Sequence, residues 1–292
     1  MNSTELVPAA ELAGGGGRGS LVPLPAYPPG IPGIRTQEAE VMVNTSRGDR
    51  YWRLRLHAPA IAAAAAPGQF VMLGAAAGVR RHPVLPRPMA LYDWDIRAGW
   101  IEVCYGVVGE GSALLTEFPR GSAMTVIGPL GRGFEVAPGA RSVLLVGRGI
   151  GVCSLTSLAG PAARRGIAVT AVLSARRPAA VTGRDVLARH GIRDILTVID
   201  TDGSSAPDRL ADTLLDRFDT APPDQIFTCG SERLTALCAE LALHWAADLQ
   251  VSVEARMACG LGYCHGCSSG HRAPSAEAPL VCKDGPVFRW SA

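Results

Sequence analysis

The sequence carries almost no surplus charge. Its 28 Lys and Arg stand against 26 Asp and Glu, for a formal net charge of +2, and no long block of one sign occurs. Nucleic-acid binders usually show a basic face or stripe, so nothing supports that class of partner. A long apolar run is also missing. The richest stretch, "APAIAAAAAPGQFVMLGAAAGV", is mostly alanine and is interrupted by Pro67, Gly68 and Gln69, whereas a membrane-spanning helix needs about 20 strongly apolar residues. No basic flank followed by an apolar block opens the chain, so no secretory leader is expected. No proton-abstracting dyad or activated nucleophile stands out. Together these absences predict a protein of the reducing cytoplasm, where clustered cysteines serve as metal ligands or redox groups more often than as disulfides.

What is present suggests several folded units. A length of 292 residues fits about two domains, and 48% hydrophobic residues can fill real cores. Residues 1–36 read as a disordered tail, with "AGGGGRGS" flexible and "LVPLPAYPPGIPG" proline-rich; a docking arm is the alternative. Over 37–138, short segments such as "YWRLRLH", "GQFVML", "WIEVCYGV" and "AMTVIG" read as strands split by turns, which predicts an antiparallel β-barrel. Over 139–250 strand and helix alternate, from "RSVLLVG" to "SERLTALCAELALHWAA", which predicts an α/β domain with a parallel sheet. Residues 251–292 are rich in Gly, Cys and Pro and show little regular structure. The expected fold is therefore multidomain, β plus α/β.

Four of the eight cysteines fall in that last segment. Their spacing is Cys259-x4-Cys264-x2-Cys267, followed by fourteen residues to Cys282. This is the spacing of plant-type [2Fe–2S] ligation. Gly260, Gly262 and Gly266 allow positive φ and close approach of backbone N–H groups to the sulfurs. A structural zinc site is the alternative, although zinc more often takes two short C-x2-C pairs; free thiols are the third reading. His265 and His271 read as surface or supporting residues. Cys104, Cys153, Cys229 and Cys238 sit in strand or helix patterns and read mostly as packing residues.

Two glycine-rich turns precede helices. "VLLVGRGIGVCSLTSLA" places Gly147, Gly149 and Gly151 between a strand and a helix, the setting in which a nucleotide pyrophosphate meets a helix N-terminus. The spacing is not G-x-G-x-x-G, and a bare strand–helix turn is the alternative. "LPRPMALYD" puts Arg87 and Pro88 at the start of a barrel strand, and "VVGEGSALL" puts Gly109, Gly111 and Ser112 at the start of a short helix. An arginine and such a turn together suit a second diphosphate. Taken singly, Arg87 reads as a surface arginine and Gly111 as a helix start.

In this order the motifs resemble the ferredoxin–NADP reductase superfamily, and within it the electron-transfer subunits of class 1B dihydroorotate dehydrogenase. The likeness runs from about residue 38 to 289 and rests on "RPMALYD", "VVGEGSALL", "IGPLGRGF", "VLLVGRGIGV", "TCGSERL", "EARMACGLGYCHGC" and "VCKDGPVF". It implies three cofactors. FAD would be lined by Arg87, Pro88, Met89, Ala90 and Leu91, with Arg87, Gly109, Gly111 and Ser112 on its diphosphate. NAD(P) would meet Gly147, Gly149, Ile150 and Gly151 at its diphosphate and Cys229, Gly230 and Glu232 beside the nicotinamide. A [2Fe–2S] cluster would be held by Cys259, Cys264, Cys267 and Cys282.

The resemblance also implies a partner. An FMN-containing catalytic subunit would oxidise dihydroorotate in pyrimidine biosynthesis, in a heterotetramer, and its electrons would pass through cluster and FAD to NAD+. Four residues depart from the family pattern. Ala90 stands where a hydroxyl residue is usual, Arg148 where glycine is, and Ser154 and Ser231 where proline often is. Arg148 would either crowd the nicotinamide nucleotide or add a phosphate contact. Two rivals follow: the same architecture serving a sulfide dehydrogenase or a ferredoxin–NADP transhydrogenase, and a decayed flavin- or zinc-binding interaction protein. Arg176 and Arg177 leave NAD against NADP open.

Overall fold

The computed structural model describes residues 19–24, 33–74, 85–269 and 278–292. After a short strand β1 (Ser20–Pro23), seven strands build an antiparallel sheet: β2 (Arg35–Gly48), β3 (Tyr51–His57), β4 (Phe70–Leu73), β5 (Arg87–Ala90), β6 (Asp93–Asp95), β7 (Trp100–Gly106) and β8 (Ala123–Leu130). Their order is β5-β4-β8-β2-β3-β7-β6. Strand alternation decides what each face buries. On β3, Leu54 and Leu56 enter the core inside the curl with Val71, Leu73, Ile101 and Val103. Arg53 and Arg55 take the other face, where both reach the fully buried Glu102 of β7 at 2.7 and 2.8 Å. No ladder joins β5 to β6 or β7 among the described residues, so the expected barrel is a curled sheet with an open seam. Two short helices, α1 (Pro59–Ala64) and α2 (Glu110–Leu115), fill its connections.

The second sheet has a parallel centre of β9 (Ser142–Arg148), β10 (Ala168–Ala175), β11 (Ile195–Ile199), β12 (Gln225–Cys229) and β13 (Asp248–Ser252), in the order β13-β12-β9-β10-β11. All five residues of β12 are buried, as expected of a strand covered on both faces. The covering helices are α3 (Val152–Thr156), α4 (Ala159–Arg164), α5 (Arg184–Arg189), α6 (Pro207–Phe218) and α7 (Glu232–Trp245). The apolar stretch after β9 reads as one helix in the sequence but is two, α3 and α4. Pro161 has no N–H to continue the ladder across the junction. From β9 the chain winds outward through β10 and β11, then returns to place β12 on the other side of β9. That reversal opens a crevice at the carboxyl ends of β9 and β12, where α/β proteins bind ligands.

The edge of this sheet departs from the sequence reading. β14 (Val287–Ser291), from the cysteine-rich segment, lies antiparallel to β13. β1 then adds to β14, with Ser20 opposite Ser291 and Pro23 opposite Phe288. Part of the expected tail is thus an edge strand, and the cysteine-rich segment is stitched into the nucleotide sheet rather than standing apart. Residues 1–18 and 25–32 of that tail lie outside the described residues. Among the described residues, no helix is long and apolar enough to cross a membrane.

Two buried clusters fasten the sheets together. Phe70, Met72 and Leu130 of the curled sheet pack in one core with Ile226 and Val251 of the parallel sheet and with Cys267, Val281 and Cys282. Tyr51, Tyr92 and Cys104 pack with Cys153, Ala175 and Ile199. In the second contact the Tyr92 hydroxyl donates to Asp185 Oδ1 at 2.6 Å and accepts from the Gly183 N–H at 3.0 Å. Tyr92→Phe keeps the ring, takes the acceptor from the buried Gly183 N–H and removes one donor from Asp185, which retains Arg47 and Arg53. It is expected to lower the unfolding free energy by about 1–2 kcal/mol, read as a lower urea midpoint at unchanged slope.

Candidate functional site

The crevice at the carboxyl ends of β9 and β12 encloses about 360 Å³. Glycines set its shape. A Cβ on Gly151 would lie 2.6 Å from Gly230 Cα, and one on Gly230, whose φ is +106°, would lie 2.4 Å from the Arg148 carbonyl oxygen. The two turns therefore meet backbone to backbone. Gly149, Ile150, Gly151, Gly230 and Glu232 all line the space. Gly147 does not. A Cβ there would press on Val152 and Leu155, at 2.9 Å from each side chain, so the missing side chain lets α3 close on β9.

Arg148 neither fills the crevice nor hangs free. Its guanidinium forms a two-pronged bond with Asp200 at 2.9 and 2.6 Å and donates to Ser174 Oγ at 3.0 Å. This pins it across the ends of β9, β10 and β11. The Arg148 hydrogen bonds hold the Asp200 carboxyl well below the usual range, at about 2, against the opposing effect of burial, with a further bond from Ser205.

At the other end of the crevice stands Glu232, and Cys229, buried at the end of β12, lies behind the lining residue Gly230. Burial pushes the Cys229 thiol up to about 12, and the charge of Glu254 adds to it, so the thiol stays protonated. Glu232 Oε1 is buried with no hydrogen-bond partner, an acceptor aimed at a ligand donor. The sequence reading missed three residues here. Tyr51 and Arg50 line the crevice from the curled sheet, as does Glu254 just past β13. Glu254 keeps solvent contact through the crevice mouth, yet it is ringed by protein that raises its pKa. Its position just ahead of "ARMACG" was the one available signal; Tyr51 simply reads as a strand residue.

The curled sheet brings Arg87 and Gly111 together. A Cβ on Gly111 would lie 2.0 Å from Arg87 Nε, so the guanidinium lies directly on the α2 turn. The Ser112 hydroxyl accepts from Val108 and Gly109 N–H at 2.9 and 3.1 Å and donates to the Gly109 carbonyl. It shapes the turn rather than reaching outward. Arg87, Pro88, Met89 and Ala90 are all half-buried on the edge strand β5, and Ala90 and Ile150 each pack against the buried cluster that contains Cys153. Leu91 is fully buried in the core of the curled sheet. The expected flavin contact fails for its side chain because the strand ends at Ala90 and the chain turns inward.

The four C-terminal cysteines come as two pairs. Burial disfavours the Cys259 thiolate, but N–H groups of Leu261, Cys264 and Tyr263 and the Cys264 thiol outweigh it and bring its pKa to about 6. Burial, followed by a bond to Cys267, pushes Cys282 up to about 12. The Cys282 N–H lies 3.4 Å from Cys267 Sγ. Among the described residues no three Cys, His, Asp or Glu side chains converge as a single-ion site. Two pairs of thiols match the demand of a two-iron cluster, two protein sulfurs per iron, better than one tetrahedral ion. Gly260 and Gly262 have φ of +70° and +84°, as the sequence suggests. Gly266 does not; the positive φ belongs to exposed His265, at +56°. His271 lies outside the described residues. Cys104, Cys153, Cys229 and Cys238 are buried free thiols.

The loop is placed against the curled sheet. A Cβ on Gly260 would lie 2.7 Å from Met72 Cγ, and Met72 of β4 is the register partner of Pro88 on β5. The cysteine loop thus adjoins the strand pair that carries Arg87, and the far end of that strand, Ala90, shares a buried cluster with Ile150.

Known proteins share these features. Residues 254–292 match the iron–sulfur cluster binding domain of dihydroorotate dehydrogenase B. A dihydroorotate dehydrogenase B (NAD(+)) electron transfer subunit from Bacillus caldolyticus is 34% identical over 243 residues, 82% of this chain and 91% of its own. The one from Listeria innocua is 31% identical over 254 residues, 86% of this chain and 96% of its own. An NADH-dependent reduced ferredoxin–NADP oxidoreductase structure superposes with a TM-score of 0.70 at 25% identity, over 86% of this chain and 87% of the other.

The Arg148–Asp200 bond has a pH signature. The folded pKa of Asp200 lies below its ordinary 3.8, so its stabilisation is complete above about pH 5 and is lost as pH falls toward 2. Wild type is expected to exceed Asp200→Asn by about 1 kcal/mol at pH 7, after allowance for solvent screening. Urea unfolding at pH 7, 4 and 2 should show this gap closing; a gap independent of pH would sink the account.

Proposed function

The chain belongs to the electron-transfer subunits of dihydroorotate dehydrogenase B, and we propose that it relays electrons between an FMN-containing catalytic subunit and NAD(P) through a [2Fe–2S] cluster and FAD. The observation that carries this reading is the spatial order of the sites. Gly260 seats the cysteine loop on Met72, Met72 pairs with Pro88, and Ala90, at the end of the same strand, packs against the buried cluster that Ile150 of the crevice also joins. Nicotinamide exchanges a hydride, a cluster exchanges single electrons, and a flavin exchanges either, so the flavin belongs between the other two.

The chain's own groups order and hold these cofactors. Cys259 with Cys264, and Cys267 with Cys282, supply the four thiolates. Leu261 and Cys282 N–H groups, each 3.4 Å from a sulfur, stabilise the negative charge there. Arg87, folded onto Gly111, holds the FAD diphosphate, while Ser112 keeps the turn in shape. Gly149, Ile150 and Gly151 meet the NAD(P) diphosphate. Glu232 Oε1 accepts from the nicotinamide end, and the protonated Cys229 thiol adds no charge beside it. The domain limits 37–138, 139–250 and 251–292 mark these three roles along the chain, although β14 and β1 complete one sheet across them.

Anaerobically purified protein is expected to hold about two irons and one flavin per chain. NADH or NADPH should bleach the flavin, and adding the catalytic subunit with dihydroorotate should reduce NAD(P). Cys264→Ser is expected to lose most of the iron while keeping the flavin. Zinc in place of iron would overturn the cluster assignment. Bleaching with no response to dihydroorotate and its dehydrogenase would point to another oxidoreductase as partner.

A further inference from the structure

We propose that Cys104 and Cys153 form a redox-sensitive latch between the two sheets, closed to a disulfide by a peroxide that enters a cavity on the outer face of the curled sheet. Neither thiol has a role in the proposed relay, so the latch is a device beyond it. Cys104 lies on β7 and Cys153 in the first turn of α3. Two periodicities bring them together. The Thr156 hydroxyl donates to the Tyr92 carbonyl at 2.9 Å, and the Tyr92 N–H donates to the Glu102 carbonyl. Thr156 therefore faces β7 near Glu102. Residues three apart share a side of a helix, and residues two apart share a face of a strand. One such step back along α3 and one on along β7, Cys153 meets Cys104. The two thiols are hydrogen-bonded to each other, inside the buried cluster they share with Tyr51 and Tyr92.

The pair is unequal in access. Cys104 lines a cavity of about 320 Å³ between the curled sheet and the segment 179–188. Cys153 sits behind it; burial, then the bond to Cys104, raises its pKa, so this thiol stays protonated. Arg47, Arg53 and Arg184 line the same cavity against one carboxylate, Asp185. Reactive cysteines need an approach from solvent and positive charge nearby, and Cys104 has both. The chemistry closes on itself. The Cys104 sulfur attacks one peroxide oxygen: an S–O bond forms, the O–O bond breaks, and the other oxygen leaves as water with the thiol proton. The Cys153 sulfur then attacks the sulfenic acid: an S–S bond forms, the S–O bond breaks, and the hydroxide leaves as water with the Cys153 proton. The two sulfurs lose two electrons and the peroxide gains them. The bond ties β7 to the helix that directly follows the Gly149–Ile150–Gly151 turn. It constrains the unfolded chain and fastens the crevice turn to the curled sheet.

The test is peptide mapping of the iron- and flavin-loaded protein after anaerobic treatment with about one equivalent of hydrogen peroxide per chain, followed by alkylation of the remaining thiols in urea. The expected result is a cross-linked peptide joining Cys104 to Cys153, released by dithiothreitol. Oxidised protein should unfold at a higher urea concentration than reduced protein. That difference should vanish in Cys153→Ser, where dimedone instead traps a sulfenic acid on Cys104. Recovery of both residues as alkylated thiols would overturn the proposal, whether or not iron is lost. So would oxidation of Cys104 that never joins it to Cys153. A cross-link that leaves the urea midpoint unmoved would overturn the fastening of the two sheets.

Discussion

The contact on which the rest depends is that between Gly260 and Met72. A left-handed backbone at Gly260 and the absence of a side chain there let the cysteine loop sit on β4. β4 is hydrogen-bonded along its length to β5, the strand that carries Arg87 and Ala90. Single-electron transfer between cofactors needs fixed, short separations, and a loop rich in glycine has little means of fixing itself. Here it borrows rigidity from the core that Met72 shares with Ile226, Val251 and Cys282. Cys267 and Cys282 are at once proposed ligands and members of that core, which anchors one thiol pair firmly. Cys264 faces solvent, so the other pair lies toward the outside.

The two ends of the chain's chemistry differ in how they handle charge. Around the sulfurs, backbone N–H groups supply the positive ends of dipoles, and full charges are few. In the crevice full charges dominate, and the partnerships of Arg148 with Asp200 and Arg177 with Asp49 decide which groups remain available. Arg148 is the instructive case. It stands where the resemblance implies glycine, yet Asp200 draws its side chain along the strand ends and leaves the glycine turn open. A residue that reads as an obstruction is an electrostatic brace.

Local patterns were legible in the sequence; partnerships across the chain were not. β3 and α7 match the segments read as strand and helix in the sequence, because their faces are set by neighbours in sequence. The cysteine spacing was legible for the same reason: three of the four sulfurs lie on one loop. Nothing local tells that Arg148 meets Asp200, 52 residues on, or that Tyr92 meets Asp185, 93 residues on. Leu91, buried in the core of the curled sheet, and Gly147, packed under α3, show what a motif leaves open: it fixes the path of the backbone but not which residue turns toward the core.

The pairing of β1 with β14 bears on how the chain reaches this state. Ser20 lies opposite Ser291, and Gly19 lies against the Trp290 ring, so nearly the first described residues pair with the last. During synthesis β1 must wait until β14, far along the chain, has been made. β13 likewise has a bare edge until β14 arrives. An unpaired strand edge recruits other strands, and contacts so distant in sequence form slowly. The sheet's most vulnerable interval therefore lasts until the strand of the cysteine-rich segment comes home.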